Sequence, residues 1–125
     1  MPHRSQKALL KLSKKQIKPG LVVIELTGRV SMGNDCLEID RHVEEHILHD
    51  EKHLILDLTG VHHVDSAVIG QIVKSHSRLK KSGGMLRLAG ATGMVEGVLR
   101  LTNVNKVIEI FPTATAASEN FPAEN

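Results

Sequence analysis

The segment Val64-Asp65-Ser66-Ala67-Val68-Ile69-Gly70 sets a carboxylate and a hydroxyl side by side, just ahead of an apolar run at helical spacing. Aspartate and serine are both strong helix N-caps, because a side-chain oxygen can accept an unpaired N–H of the first turn. If Asp65 takes the cap, Ser66 becomes the first helical residue and its hydroxyl is left over. The same unpaired N–H groups favour an anion, so a phosphate on Ser66 would be well accommodated. It would bring roughly −1.5 to −2 charges next to Asp65, repelling an acidic partner and breaking an apolar contact. The pattern leaves two readings open: a plain cap, or a cap beside a modifiable hydroxyl.

The other reactive side chains read as structure. His42, His46 and His49 recur at four and three residues, and imidazoles at i and i+4 can share a metal. With no other ligand type beside them, a polar stripe flanking Val43 and Ile47 is the plainer reading. Cys36 falls on the apolar side of its helix, where a packed thiol is expected. Glu44-Glu45 and Asp50-Glu51 read as solvated surface. The sequence holds neither a Gly-x-x-x-x-Gly-Lys phosphate loop nor a Gly-x-Ser-x-Gly elbow. Neither an enzyme nor a cofactor is expected.

Composition narrows the field further. A chain of 125 residues suits one domain. Its 16 Lys and Arg against 14 Asp and Glu leave a charge of only +2, too little to wrap a nucleic acid backbone. Two Phe, with no Trp or Tyr, remove the stacking platforms of single-strand binders. One cysteine excludes an internal disulfide and suits a reducing compartment. No apolar run is long enough to cross a bilayer, and Met1 to Ser5 lacks the layout of a secretory signal. The expectation is a cytoplasmic domain without membrane insertion or direct nucleic acid contact.

The elements that must position Asp65 and Ser66 alternate. Leu9 to Ile17 and Leu21 to Leu26 read as strands joined antiparallel through Pro19-Gly20. Asn34 can cap a helix over Asp35 to His49 whose inner face is Cys36, Ile39, Val43 and Ile47. Leu54 to Leu58 is a core strand ending at the turn signal Thr59-Gly60, and a loop over Val61 to Val64 leads to Asp65. Val68, Ile69, Ile72, Val73, His76 and Leu79 mark the inner side of the next helix, which reaches Lys81 and ends at Gly83-Gly84. Met85 to Ala89 is a strand, Thr92 caps a short helix, Val107 to Ile110 is a last strand, and Pro112-Thr113 opens an alanine-rich helix.

Such alternation means βαβ units with right-handed crossovers. Alternation within strands puts Ile24, Leu26, Leu54, Leu56, Leu58, Leu86 and Leu88 on one side, and Glu25, Asp57 and Arg87 on the other. The fold class expected is a small α/β domain. Its mixed sheet has an N-terminal antiparallel hairpin, then parallel strands in chain order, with helices mainly on one face. Asp57 and Arg87 are placed to pair across the open face. The domain is expected over 8–118, with flexible ends at 1–7 and 119–125, Phe121 included.

The order of these pieces resembles the STAS domain, the family of bacterial anti-sigma-factor antagonists. The resemblance lies in Leu26-Thr27-Gly28-Arg29-Val30, in Leu56-Asp57-Leu58-Thr59-Gly60-Val61 followed by Val64-Asp65-Ser66, in Ser82-Gly83-Gly84-Met85-Leu86-Arg87-Leu88, and in Leu101-Thr102-Asn103-Val104. It covers nearly all of Leu9 to Ala117. It implies a partner-switching module that binds an anti-sigma serine kinase, is released when Ser66 is phosphorylated, and is reset by a phosphatase. It also implies a docking surface made of Ser31, Met32, Gly33 and Asn34 together with Asp65, Ser66, Ala67, Val68 and Ile69. Weak homodimerisation is a further association the reading permits. Two positions depart from the family pattern: Val68 where glycine is usual, and Ser31 where an acidic residue is usual. They support an alternative within the family, a non-phosphorylated interaction subunit of a transport or sensory complex.

Overall fold

A computed structural model describes residues 9–119 and residue 121. The expectation for 1–7 and most of that for 119–125 lie outside the described residues. The elements run β1 (Lys11–Lys18), β2 (Leu21–Val30), α1 (Asn34–Leu48), β3 (His53–Val64), α2 (Ser66–Lys81), β4 (Met85–Ala89), α3 (Gly93–Leu101), a 3-10 turn (Val104–Lys106), β5 (Ile110–Phe111) and α4 (Ala114–Ser118). The sheet order is β1-β2-β3-β4-β5. Only β1–β2 is antiparallel; the remaining pairs are parallel.

The main core lies on one face. Ile24, Leu26, Leu54, Leu56, Leu58, Leu86 and Leu88 meet Ile39 and Val43 of α1, Val68, Ile72 and Leu79 of α2, and Val95 and Leu99 of α3. This is the side that period-two alternation selects. The opposite face is narrower. Leu21, Val23, Ile55 and Ala89 pack with Ala117 of α4, and Phe111, Ala114 and Phe121 lie against them.

Several boundaries differ from the sequence expectation, each for a local physical reason. β3 does not turn at Thr59-Gly60. The Asp57 carboxylate accepts the Thr59 N–H at 3.0 Å and its hydroxyl at 2.6 Å, absorbing the irregularity as a shift of register between β2 and β3. The strand continues, with Val61 and Val64 buried. Asn34 does not cap α1; Gly33, at φ 84°, supplies the turn, and Asn34 is already helical. Thr92 precedes α3 without a side-chain cap bond.

The expected strand over Val107 to Ile110 is displaced to Ile110–Phe111. Val104 and Ile108 are both buried, and the Ile108 N–H reaches the Val104 carbonyl at 2.9 Å, so a helical turn takes that apolar pair. Arg87 and Asp57 are not register partners: Arg87 lies beside Ile55, and Asp57 beside Ala89. Arg87 is buried beneath the C-terminal segment rather than on an open face. Phe121, expected to fray, is half-buried with its ring 4.0 Å from the Arg87 guanidinium.

Candidate functional site

The site forms where β3 ends and α2 begins. Asp65 has extended backbone angles, φ −104° and ψ 177°, and occupies the N-cap of α2. Its Oδ1 accepts the Val68 N–H at 3.1 Å. Its Oδ2 turns to the β2–α1 loop and accepts the Met32 N–H at 2.9 Å. With the cap filled by Asp65, Ser66 is the first helical residue and is exposed. The sequence left open which of the two would cap; packing assigns the cap to Asp65.

Electrostatics at this corner follow from the same bonds. Partial burial pushes the Asp65 carboxyl up, but the N–H groups of Met32, Val68 and Ala67, with His63 nearby, outweigh it and hold the group below its usual range. Asp65 is therefore a fixed negative charge at the helix start. Asp35 works on the same loop from the other side, accepting the Ser31 N–H at 2.8 Å. Cys36 donates to the Ser31 carbonyl at 3.8 Å, and burial, then Asp65 and Asp35, push its thiol up. It reads as a packed thiol.

The nine residues expected at the docking surface divide. Met32, Gly33, Asn34, Ser66 and Ala67 are exposed, and Ser31 and Asp65 are half-buried beside them. Val68 and Ile69 are corrected: at 1% and 7% exposure they face the core and support the surface from beneath. Val68 thus leaves the helix start uncrowded despite its β-branched side chain.

Two residues were missed by the sequence reading. Leu37 is 67% exposed, close to the 69% of Met32. The signal was present, because Leu37 is an apolar residue out of step with Cys36, Ile39 and Val43. Asp35 was read only as a helix residue, although an aspartate in a first turn is well placed to bond a preceding loop.

The histidine stripe does not converge. His46 is buried, with Nδ1 2.7 Å from Glu51 Oε1. His42 lies between Glu38 and Glu45 at 3.5 and 3.8 Å, and His49 Nδ1 is 2.8 Å from the Glu45 carbonyl. Among the described residues no group of three or more His, Cys, Asp or Glu could hold a metal ion. No helix among them is long and apolar enough to cross a membrane.

The family model of the STAS domain matches residues 13–117, a span containing every residue of this site. The chain belongs to the STAS domain family. A Thermotoga maritima protein named "Putative anti-sigma factor antagonist" is 35% identical over 66 residues, 53% of this chain and 58% of the relative. The aligned stretch thus spans little more than half of that relative. A solved Thermotoga maritima structure of the same description superposes with a TM-score of 0.78 at 25% identity, covering 86% of this STAS chain and 92% of the other. The anti-sigma factor antagonist SpoIIAA in its unphosphorylated form gives 0.75 at 17% identity over 86% and 92%. A sulfate transporter family protein from Wolinella succinogenes gives 0.66 at 16% identity over 82% and 85%. The last two likenesses establish the shared fold.

Proposed function

We propose that this STAS domain is an anti-sigma-factor antagonist that binds an anti-sigma serine kinase through the face around Ser66 and is released by phosphorylation there. The observation that carries the reading is the division of labour at the start of α2. Asp65 serves as the cap, so the exposed Ser66 hydroxyl can be modified without unmaking the helix terminus. In the reaction the Ser66 oxygen attacks the γ-phosphorus of the ATP held by the kinase. The bond to ADP breaks, and the hydroxyl proton passes to a base of the kinase. A phosphatase hydrolyses the ester and resets the surface.

The switch is electrostatic. Ser66 adjoins exposed Ala67 and the loop carrying exposed Met32, and the carboxylates of Asp65 and Asp35 are both tied to backbone N–H groups. Phosphate adds roughly −1.5 to −2 charges next to a carboxylate that is already ionised. An apolar contact closed over that spot would bury unpaired charge, which is strongly unfavourable. Such a regulator acts by association rather than catalysis and works in the cytoplasm. Weak homodimerisation through the same face would be lost with the same phosphate. Burial of Val68 removes one reason for preferring a constitutive subunit.

The test is incubation with ATP and the serine-kinase anti-sigma factor encoded in the same genome, followed by mass spectrometry and a binding assay. One phosphate on Ser66, its absence in Ser66→Ala, and lost binding in Ser66→Asp are expected. Equal modification of the wild type and Ser66→Ala overturns the acceptor assignment. Binding that is indifferent to Ser66→Asp points instead to a constitutive interaction subunit of a transport or sensory complex.

A further inference from the structure

Arg87 stands on the second strand in from the short β5 edge, with its side chain on the face away from α1, α2 and α3. A guanidinium buried to 6% exposure is costly unless its donors and its flat faces are satisfied. Here the C-terminal segment does this. Nη1 donates to the Ala117 carbonyl at 2.9 Å and to the Glu119 carbonyl at 2.8 Å. Nε lies 3.3 Å from Glu109 Oε1. The rings of Phe111 and Phe121 lie 5.0 and 4.0 Å from the guanidinium carbon, and these are the only two phenylalanines in a chain without Trp or Tyr.

The segment so gathered packs on a small apolar strip of the sheet. α4 is five residues long, far below the length at which a helix persists alone. Its buried residue is Ala117, a single methyl group over Leu21, Val23, Ile55 and Ala89. That small cluster is separate from the main core, which contains Val64, Val68 and Ile69 beneath the Ser66 surface. Ala114 packs beside Ala117, the Phe121 ring lies 5.1 Å from that of His53, and Arg87 ties Ala117, Glu119 and Phe121 together.

We propose that residues 112–119 and Phe121 form a strap latched by Arg87, which opens as a unit while the Ser66 face stays folded. An arginine suits a reversible latch better than an apolar residue would. When the strap lifts, Arg87 and Glu109 regain water and keep the uncovered strip of Leu21, Val23, Ile55 and Ala89 soluble, so opening costs less than it would over a wholly apolar face. Closed, Nη1 bonds two carbonyls, Nε faces Glu109 and the flat cation lies against two rings, a combination that lysine with its single nitrogen cannot reproduce. The device answers to contacts at Arg87 rather than to charge at Ser66.

Hydrogen exchange on the full chain tests this. In the wild type, the Ala116 and Ala117 amides, bonded to the Thr113 hydroxyl and carbonyl, should exchange together and at least about tenfold faster than amides of β3 and α2, as expected for a sub-global opening. Arg87→Lys should accelerate the strap amides about tenfold more and leave β3, α1 and α2 unchanged. Phe121→Ala, which removes a ring lying against Arg87 and His53, should act in the same direction. Strap amides that exchange in step with β3 in the wild type overturn the proposal. So do variants that speed every element equally or leave the strap unaltered.

Discussion

Asp65 and Met32 are 33 residues apart, yet one oxygen of the Asp65 carboxylate accepts the Met32 N–H at 2.9 Å. The other oxygen accepts the Val68 N–H at 3.1 Å and so caps α2. One side chain therefore fixes both halves of the proposed docking surface, the β2–α1 loop and the start of α2. An asparagine could keep the cap through its carbonyl, but its NH2 cannot accept from Met32. Asp65→Asn should cost about 1–2 kcal/mol and loosen the loop at Ser31 to Asn34 while α2 keeps its cap. Asp65→Ala should cost more and fray both. Denaturant unfolding, with amide exchange at Met32 and Val68 as separate reporters, distinguishes the two losses.

The acid limb of stability carries the same signature. The Asp65 carboxyl titrates below its usual value of 3.8 in the folded state. Its contribution is therefore present above that value and is lost as pH falls through the lower, folded one. Asp65→Asn should flatten the loss of stability below about pH 4. Denaturation midpoints of both proteins across the acid range check this.

Histidine acts in the opposite sense to an ion-paired residue. Burial, then Lys80, lowers the affinity of His76 for a proton; burial, then Lys14, does the same for His42. The unfolded chain, with ordinary imidazoles near 6.5, binds more protons just below that value. Stability should therefore rise with pH through the range under 6.5, and His76→Gln should reduce the slope there. Two-dimensional NMR titration of both rings, alongside chemical denaturation, measures each part.

Glycines separate by what a methyl group would meet. At Gly60 a Cβ would sit 2.5 Å from Thr27 Cγ2, so Gly60→Ala should cost about 1–3 kcal/mol. Thr27→Ser should recover part of the loss, because it removes that methyl. At Gly84 the obstacle is the backbone carbonyl of Lys52, and no side-chain change relieves it. Gly97, inside α3 with nothing within 4 Å, should instead gain roughly 0.5–1 kcal/mol as alanine. Thermal unfolding of the set gives the signs directly.

Arg78 joins α2 to α1 through Asp40 and Glu44, each at 2.7 Å. The side chain is 30% exposed, so screening reduces its value. Arg78→Ala should cost about 1 kcal/mol or less, and raising the salt concentration should narrow the gap. Urea midpoints at low and high salt suffice.

Local signals carried most of the architecture. Strand alternation assigned Leu54, Leu56 and Leu58 to the helix-covered side, and β4 has the predicted bounds of Met85–Ala89. The pair Asp65-Ser66 announced the start of α2, because capping chemistry acts within one turn and is written in adjacent residues. The family resemblance rested on such short stretches in order, and the STAS match over 13–117 bears it out.

Tertiary structure decided what depends on partners distant in the chain. Thr59-Gly60 has the chemistry of a turn, but it lies within β3 because β2 pairs alongside it and Asp57 bonds Thr59. Arg87 looks like an open-face charge, yet residues 30 or more positions later bury it. Val68 and Ile69, marked by their spacing as the inner side of α2, stay in the core instead of joining the docking surface that the family resemblance implied, whereas Val73, read the same way, is 38% exposed. By itself, the chain's residue pattern determined which side chains alternate and where α2 begins, since both depend on neighbours along the backbone. What covers the second face, and which carboxylate holds which loop, had to await the fold, because those bonds close only after segments some thirty residues apart have met.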